Sequence, residues 1–346
     1  MIFLEYQIIR KNFLGGFMNI LVVGGAGYIG SHVVKQLVEA EHKVVVLDNL
    51  QTGHVEAVNK KAAFIEGDVR NEELLKEIFS IVQYDIVFHF AAYSSVAESV
   101  SNPLIYFENN VSGLITLLKV MNEFKIKKII FSSTAAVYGN CSDVLITEDT
   151  ETIPKSPYGE SKLMMEKIIE HCRLAYDINY VVLRYFNVAG ADLSGEIGED
   201  HRPETHLLPL VLNIALDKDP SITLFGNDYD TKDGSTIRDY IHVVDLASAH
   251  LLSMNYLIKE NKSNIFNVGT SSGFSTLEIV KHVELFTNTK ISIVFGERRN
   301  GDPHSLVASS KKISHLLGWT PQFSDLDTII SSAWSWHQKN PNGYKK

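Results

Sequence analysis

Short apolar runs alternate with amphipathic stretches over the first half of the chain. The runs are rich in valine, isoleucine and phenylalanine, as expected for strands that are buried on both faces. The stretches between them carry apolar residues three or four positions apart, which indicates helices. A loop is predicted from residue 91 to residue 103. The predicted strands are 20–23, 43–47, 63–65, 85–90, 128–131 and 180–185, and the predicted helices are 29–37, 71–79, 104–124 and 157–176.

This alternation predicts an α/β fold, a Rossmann-type doubly wound parallel sheet with helices on both faces. After about residue 186, loops rich in glycine, aspartate and proline separate shorter elements, which predicts a smaller C-terminal α/β lobe. We therefore expect a nucleotide-binding domain over residues 18–185 and a substrate lobe over 186–340. The chain is expected to cross back partly around 238–252. Residues 1–17 are apolar but interrupted by charges, and we interpret them as a poorly ordered extension.

Charge and cysteine content narrow the function classes. The 346 residues carry 32 Lys+Arg against 41 Asp+Glu, a formal net charge of −9, which argues against a nucleic-acid partner. No stretch after the extension approaches the length of uninterrupted apolar sequence that spans a membrane. Cys141 and Cys172 belong to no metal or redox motif, so no metal site is predicted and a reducing cytoplasm is expected.

A glycine-rich turn joins the first predicted strand to the first predicted helix. Gly24, Gly25, Gly27 and Gly30 allow a tight turn and let backbone N–H groups approach a pyrophosphate at the helix N-terminus. Asp48 ends the next predicted strand, eighteen residues after Gly30. An acidic residue at that point accepts hydrogen bonds from the adenosine ribose and repels a 2′-phosphate. The predicted cofactor is therefore NAD rather than NADP.

Tyr158 and Lys162 lie four residues apart at the start of a predicted helix, which places both side chains on one face. A tyrosine and a lysine four residues apart are common on solvent-facing helices, so the spacing indicates a catalytic pair only together with the neighbouring motifs. A lysine charge and the positive nicotinamide ring of NAD favour the phenolate, and we expect them to lower the pKa of Tyr158 toward that of a usable base. Ser132, Ser133 and Thr134 end a predicted strand, where a hydroxyl can bind the sugar oxygen that loses its proton.

Together these motifs resemble the extended short-chain dehydrogenase/reductase family, and two later segments are similar to its UDP-hexose 4-epimerases. The resemblance implies an NAD-dependent isomerase of galactose metabolism that interconverts UDP-glucose and UDP-galactose through a transient 4-keto sugar. It also implies a cytoplasmic homodimer. The resemblance spans about residue 18 to residue 336. The segments that carry it are the glycine turn, Asp48, 131–139, 158–162, 184–191, 225–247 and 298–303.

The resemblance assigns residue roles. Tyr158 is the acid/base, Lys162 its partner and Thr134 the supporting hydroxyl. The implied cofactor-binding residues are Gly24, Gly27, Tyr28, Ile29, Gly30, Asp48, Asn49, Asp68, Val69, Phe90, Ala91, Ala92, Asn109, Ser132, Tyr158 and Lys162. The implied substrate-binding residues are Thr134, Tyr158, Asn187, Leu207, Phe225, Arg238, Arg299, Asp302 and Leu306.

Three alternatives remain at this stage. A nucleotide-sugar 4,6-dehydratase needs an Asp-Glu pair directly after the threonine, where this chain has Ala135 and Ala136. A redox-sensing NAD-binding protein without catalysis would have lost Tyr158 or Lys162. A 4-epimerase for an N-acetylated or uronic sugar is the third. By resemblance, Leu306 aligns with a position that in such epimerases lines the pocket near the sugar C2 substituent, and because leucine is smaller than tyrosine we expect UDP-N-acetylglucosamine to react too, more slowly. The alternative is that Leu306 is an apolar strand residue that never meets the sugar.

Overall fold

The strands of the structure form one large sheet and three small ones. The computed structural model describes residues 17–141, 145–217, 221–298 and 303–344. The predicted extension thus lies outside the described residues, except for Phe17. The strands are β1 (Asn19–Val23), β2 (Lys43–Asp48), β3 (Ala63–Glu66), β4 (Ile86–His89), β5 (Lys128–Thr134), β6 (Asn179–Tyr185), β7 (Asn187–Ala189), β8 (Ser221–Phe225), β9 (Ile237–Arg238), β10 (Tyr240–His242), β11 (Asn264–Val268), β12 (Phe274–Ser275), β13 (Ser292–Gly296) and β14 (Ser305–Leu306).

Helices connect most of these strands. Two short 3₁₀ turns cover Val55–Ala57 and Ala135–Val137, and a π-helical turn covers Phe107–Ser112. The α-helices are α1 (Tyr28–Glu39), α2 (Glu72–Ile81), α3 (Val96–Ser101), α4 (Pro103–Tyr106), α5 (Gly113–Glu123), α6 (Pro157–Tyr176), α7 (Leu207–Asp217), α8 (Val243–Glu260), α9 (Thr276–Thr287), α10 (Lys311–Leu317) and α11 (Leu326–Lys339). Among the residues with assigned positions, none of the helices combines the length and apolarity needed to cross a membrane.

The large sheet has seven parallel strands in the order β3-β2-β1-β4-β5-β6-β11. Helices α1 and α8 pack on one face through residues such as Val33 and Leu246, and α2, α5 and α6 cover the other through residues such as Ile78 and Met165. The strand order reverses between β1 and β4, which in such sheets opens a ligand crevice beyond the carboxyl ends of the strands. The predicted doubly wound α/β fold is confirmed.

Helix α6 begins where the sequence predicts it. The Ser156 side chain caps the helix by accepting a hydrogen bond from the Gly159 backbone at 3.2 Å, and Pro157 takes the first helical position, where its missing N–H is not needed. Tyr158 therefore lies in the first turn and Lys162 one turn later. The start of α6 packs against the carboxyl end of β5, because Lys162 Nζ donates to the Ser132 carbonyl oxygen at 2.9 Å.

The connection after β4 differs from the prediction. The predicted loop contains α3, which Ser95 caps by accepting from the Glu98 backbone at 3.2 Å. The predicted single helix over residues 104–124 is divided by the π-helical turn. Asn110 within that turn is fully buried, accepts from the Tyr93 backbone at 2.8 Å and donates to Ser161 Oγ at 3.0 Å. These tertiary hydrogen bonds explain why the regular helix pattern of the sequence does not continue through the turn.

The smaller sheets and the later helices form a second packing unit after β6. β7 pairs with β10, β8 pairs with β13, and β9 pairs with β12 and β14. Helices α7, α9 and α11 enclose a core that includes Leu212, Val280 and Ile330. Between these elements, α8 and β11 return to the large sheet, where β11 extends it beyond β6.

Candidate active site

The turn between β1 and α1 requires glycine at two positions. Gly24 has a φ of +83°, and a Cβ on it would lie 2.4 Å from the Ala91 backbone nitrogen. A Cβ on Gly30 would lie 2.2 Å from the Gly24 carbonyl oxygen, because α1 packs directly on the turn. A Cβ on Gly27, just before the helix, would meet no atom closer than 3.5 Å. The amino end of α1 thus offers backbone N–H groups and space to an anion such as a pyrophosphate.

Asp48 connects the end of β2 to this turn. Its Oδ2 accepts a hydrogen bond from the Ala26 backbone at 2.9 Å, and its Oδ1 accepts one from the Leu50 backbone at 2.9 Å. Burial raises the pKa of Asp48, and the two backbone hydrogen bonds act against that rise. A carboxylate with two such bonds still has lone pairs for ribose hydroxyls, so the side chain fits the predicted role.

A second carboxylate follows the end of β3. Arg70 binds Asp68 through two hydrogen bonds, from Nε to Oδ1 at 2.9 Å and from Nη2 to Oδ2 at 2.7 Å. Hydrogen bonding to Arg70 lowers the pKa of Asp68 to about 2. Asn49 Nδ2 also donates to Asp68 at 3.2 Å. Because Arg70 is already engaged by a carboxylate, this edge suits the hydroxyls of NAD better than the 2′-phosphate of NADP.

Thr134, Tyr158 and Lys162 meet at the carboxyl end of β5. The Thr134 side chain is hydrogen-bonded to the Tyr158 phenol and also accepts from the Ala136 backbone at 3.1 Å. Burial raises the pKa of Tyr158 to about 12, against the hydrogen bond from Thr134, which lowers it. Burial also lowers the pKa of Lys162 to about 7, against the charge of Glu166. The predicted lowering of the Tyr158 pKa depends on bound NAD as well as on Lys162, and it stays a prediction, since burial has the larger effect on both groups here.

A buried ion pair fixes the elements beneath these residues. Glu166, one turn after Lys162, accepts from Ser133 Oγ at 2.5 Å and from Arg184 Nη2 at 2.5 Å. Arg184 Nη1 donates to the Tyr138 hydroxyl at 3.0 Å. Glu166 and Arg184 are both about 5% exposed. The network joins β5, α6 and β6, so it holds the strand that carries Thr134 against the helix that carries Tyr158.

One cavity runs along the carboxyl edge of the large sheet. Every predicted cofactor-binding residue lines it, from Gly24 in the glycine turn to Lys162 in α6. Four predicted substrate-binding residues also line it: Thr134, Tyr158, Asn187 and Leu207. The structure thus brings the glycine turn, Asp48 and the Tyr158 group to one continuous surface.

The remaining predicted substrate residues lie farther into the second unit. Phe225 ends β8 and is 41% exposed. Arg238 in β9 donates from Nη1 to the Ile237 carbonyl oxygen at 2.7 Å and is directly paired with Leu306 in β14. These three residues are not among those that line the cavity. Arg299 and Asp302 lie outside the described residues.

Several cavity residues were missed by the sequence analysis. Tyr185 hydrogen-bonds Ser132 through its hydroxyl, and it follows Arg184 in a segment already singled out as a motif. Glu166, which lies beneath the cavity and does not line it, could have been found as the residue four positions beyond Lys162 on the same helix face. Glu199 and His201 also line the cavity, but they come from a segment without strand or helix periodicity.

Comparisons with known proteins agree with this geometry. The profile of the NAD dependent epimerase/dehydratase family matches residues 20–269. A UDP-glucose 4-epimerase from Lacticaseibacillus casei is 53% identical over 94% of this chain and 99% of its own length. A crystal structure of a UDP-glucose 4-epimerase is 52% identical, with a TM-score of 0.92 over 95% of this chain and 100% of that one. The Bifidobacterium longum UDP-glucose 4-epimerase in complex with NAD+ and UDP is 37% identical, with a TM-score of 0.89 over 94% of this chain and 100% of that one. The chain belongs to the NAD dependent epimerase/dehydratase family.

Proposed function

We propose that the protein is an NAD-dependent isomerase that interconverts UDP-glucose and UDP-galactose at C4 of the hexose. The observation that carries the proposal is the meeting of Thr134, Tyr158 and Lys162 in the cavity that the glycine turn and Asp48 also line. The identity of 53% over nearly the whole length of a UDP-glucose 4-epimerase supports the same substrate.

The cavity residues fit NAD. Gly24 and Gly27 leave room for a pyrophosphate at the amino end of α1, and Asp48 with Asn49 offers acceptors and a donor to the adenosine ribose. Lys162 is the nicotinamide-ribose contact in this proposal. Bound there, NAD supplies reversible hydride transfer at C4 of the sugar. Because the cofactor is regenerated in each cycle, we expect the protein to retain it.

Tyr158 is the acid/base in this proposal. Its phenolate takes the proton from the C4 hydroxyl, which becomes the carbonyl of the transient 4-keto sugar, and later returns the proton. Burial keeps the pKa of the phenol at about 12. Positive charge brought beside the phenol by bound NAD+ favours the phenolate and opposes burial. The Thr134 hydroxyl, already bonded to Tyr158, orients the sugar oxygen.

Inversion at C4 requires that the 4-keto sugar can turn either face of C4 toward the cofactor while the UDP stays anchored. Asn187 and Leu207 line the cavity, and we propose that they contact the nucleotide sugar. Arg238 and Arg299 are proposed to bind the diphosphate, since guanidinium groups form bidentate charge-assisted bonds with phosphates. Phe225 is proposed to stack on the uracil, and Asp302 to bind a ribose hydroxyl. Anchoring through the nucleotide leaves the hexose free to turn.

We propose a second activity, epimerisation of UDP-N-acetylglucosamine, because leucine at position 306 leaves more space than tyrosine would, although Leu306 itself does not line the cavity. This side chain packs against the apolar cluster that contains Phe186, and Phe186 lines the cavity.

We also propose that the protein works as a cytoplasmic homodimer in galactose metabolism. Both cysteines carry no disulfide, which is consistent with a reducing compartment.

The decisive experiment is an assay of purified protein with UDP-galactose and no added NAD. We expect UDP-glucose to form, and NAD(H) to be released when the protein is denatured. Tyr158→Phe, prepared in parallel, controls for contaminating epimerase from the expression host. Absence of UDP-glucose formation with NAD bound, or equal turnover by Tyr158→Phe, contradicts the proposal.

A further inference from the structure

Two histidines and two glutamates converge beside the cavity in the segment that leads into α7. Glu199, His201, Glu204 and His206 each offer one ligand atom, and these atoms all lie within 4.8 Å of one another. The proposed reaction uses none of these four side chains. The clustering of these four side chains therefore needs an explanation other than the proposed reaction.

The distances within this His/Glu cluster match a tetrahedral site. His201 Nδ1 and His206 Nδ1 lie 3.2 Å and 2.8 Å from Glu199 Oε1. His206 Nδ1 lies 3.2 Å from Glu204 Oε1, and His201 Nδ1 lies 3.7 Å from Glu204 Oε2. Zinc bonds of about 2.0–2.1 Å give a tetrahedron with edges of about 3.3 Å. The three contacts to Oε1 of either glutamate, at 2.8–3.2 Å, are close to that edge length, and the fourth involves the other oxygen of Glu204.

Charge and hydrogen bonding also favour a cation at the centre. The two carboxylates need two positive charges, which come either from two protonated imidazoles or from one divalent ion that replaces both protons. The Nδ1 atom of His201 is buried and makes no hydrogen bond with well-aligned geometry among the described residues. It can therefore bind a metal without giving up such a bond.

The ligand-bearing segment is held in place before any ion binds. Glu204 Oε1 accepts from the Thr205 and His206 backbones, both at 2.7 Å, and the Glu199 carbonyl oxygen accepts from Trp336 Nε1 at 3.2 Å. Hydrogen bonds of this kind, between a ligand residue and groups that do not themselves bind the metal, orient the metal-binding atoms. The Tyr28 ring, from the first turn of α1, stands edge-on to His201 with 6.3 Å between ring centres.

We propose that Glu199, His201, Glu204 and His206 bind a zinc ion that joins the segment before α7 into one rigid unit next to the glycine turn. Two imidazole nitrogens and two carboxylate oxygens suit zinc, and four protein ligands close the site to substrate. The ion is thus structural. It fixes Leu207, which follows the last ligand directly and lines the cavity.

Zinc binding can be measured independently of the isomerase reaction. Tag-free protein with its bound cofactor is treated with a chelator, desalted, and supplied with ZnSO₄, and zinc content and thermal midpoint are then measured. We expect one zinc per chain and a midpoint that rises with zinc concentration. Cobalt(II) in place of zinc should give the intense visible absorption of a four-coordinate ion, which tests the geometry without any variant.

Two conservative variants test the ligands. His201→Gln removes the imidazole, and Glu204→Gln keeps an oxygen acceptor for the Thr205 and His206 backbones. Each should weaken zinc binding at least about 100-fold, since loss of outer contacts alone costs about 10–100-fold. The control is His315→Gln, an exposed histidine at the end of α10. The proposal is overturned if wild type binds no zinc, if cobalt gives only weak octahedral bands, or if both ligand variants bind zinc as tightly as the control.

Discussion

The two halves of the cavity are built in different ways. The cofactor half comes from consecutive strand ends of one parallel sheet, at Val23, Asp48 and Thr134 in β1, β2 and β5. The half that faces the second unit comes from the small sheet of β7 and β10 and from irregular segments such as 199–206. In the first half, strand order alone brings the residues together. In the second half, their positions depend on pairings between distant segments, such as β7 with β10.

This difference explains why rigidity has different sources in the two halves. In the cofactor half, close backbone contacts at Gly24 and Gly30 and the buried Glu166–Arg184 pair leave little freedom. Beyond the other half, in the second unit, Phe225 is 41% exposed and Leu306 is only partly buried. A proposed reaction that holds NAD throughout and lets the hexose turn requires this division. Variants in the cofactor half, at the boundary and in the second unit can test this division.

Tyr158→Phe should produce the largest loss of turnover among the variants considered. Removing the phenol hydroxyl at the boundary of the two halves should lower turnover at least about 10²-fold, because a general base contributes about 10²–10⁴-fold. The variant should fold and keep NAD, since no cofactor contact of the glycine turn changes. Steady-state rates with UDP-galactose measure the loss. Tyr176→Phe, at the exposed end of the same helix, is the matched control, and near-normal turnover of Tyr158→Phe would rule out its role.

Gly30→Ala and Gly27→Ala should separate packing from cofactor binding. The new Cβ at residue 30 meets the Gly24 carbonyl oxygen at 2.2 Å, so the free energy of unfolding should fall by about 1–3 kcal/mol. At residue 27 the nearest atom is 3.5 Å away, so stability should change little while NAD retention weakens. Denaturant titrations with excess NAD measure stability, and NAD released from purified protein measures retention. Equal stability of the two variants would contradict the steric argument.

Asp48→Ala should weaken NAD retention by about 10- to 150-fold, because a hydrogen bond to a charged group contributes about 1.5–3 kcal/mol and each 1.4 kcal/mol is about tenfold. The change removes the proposed ribose acceptor and the bond from the Ala26 backbone. NAD content after desalting measures the effect. Asp85→Ala is the control, since Asp85 also accepts from a backbone N–H, that of Asn19 at 2.8 Å, but at the opposite edge of the sheet. If both variants keep NAD as wild type does, Asp48 is not a ribose ligand.

The same difference determines what the sequence could predict. The strands from β1 to β6, Pro157 at the start of α6, the glycine turn and Asp48 follow from local patterns that the parallel sheet then assembles, whereas most of the other cofactor residues were implied by the family resemblance. Helix α3 and the π-helical turn were missed, because Ser95 and Asn110 act through contacts that periodicity does not contain. The absence of a metal site was predicted from cysteine spacing alone. The His/Glu cluster, formed by a segment without periodicity, gave no such signal.

Leu306→Tyr should have the smallest effect on the main reaction and the most selective one. Leu306 pairs with Arg238 and packs against the apolar cluster that contains Phe186, so we expect a tyrosine there to extend toward the part of the cavity proposed to hold the sugar. We expect wild type to epimerise UDP-N-acetylglucosamine more slowly than UDP-glucose, and the variant to lose the acetylated substrate while keeping the other. Steady-state kinetics on both sugars measure this, with Leu285→Tyr on the exposed face of α9 as control. Equal changes in both activities, or no wild-type activity on the acetylated sugar, would show that residue 306 does not select the substrate. A selective loss would instead place the substrate specificity in the second unit, where a single side chain can change the space available to the sugar without disturbing the large sheet.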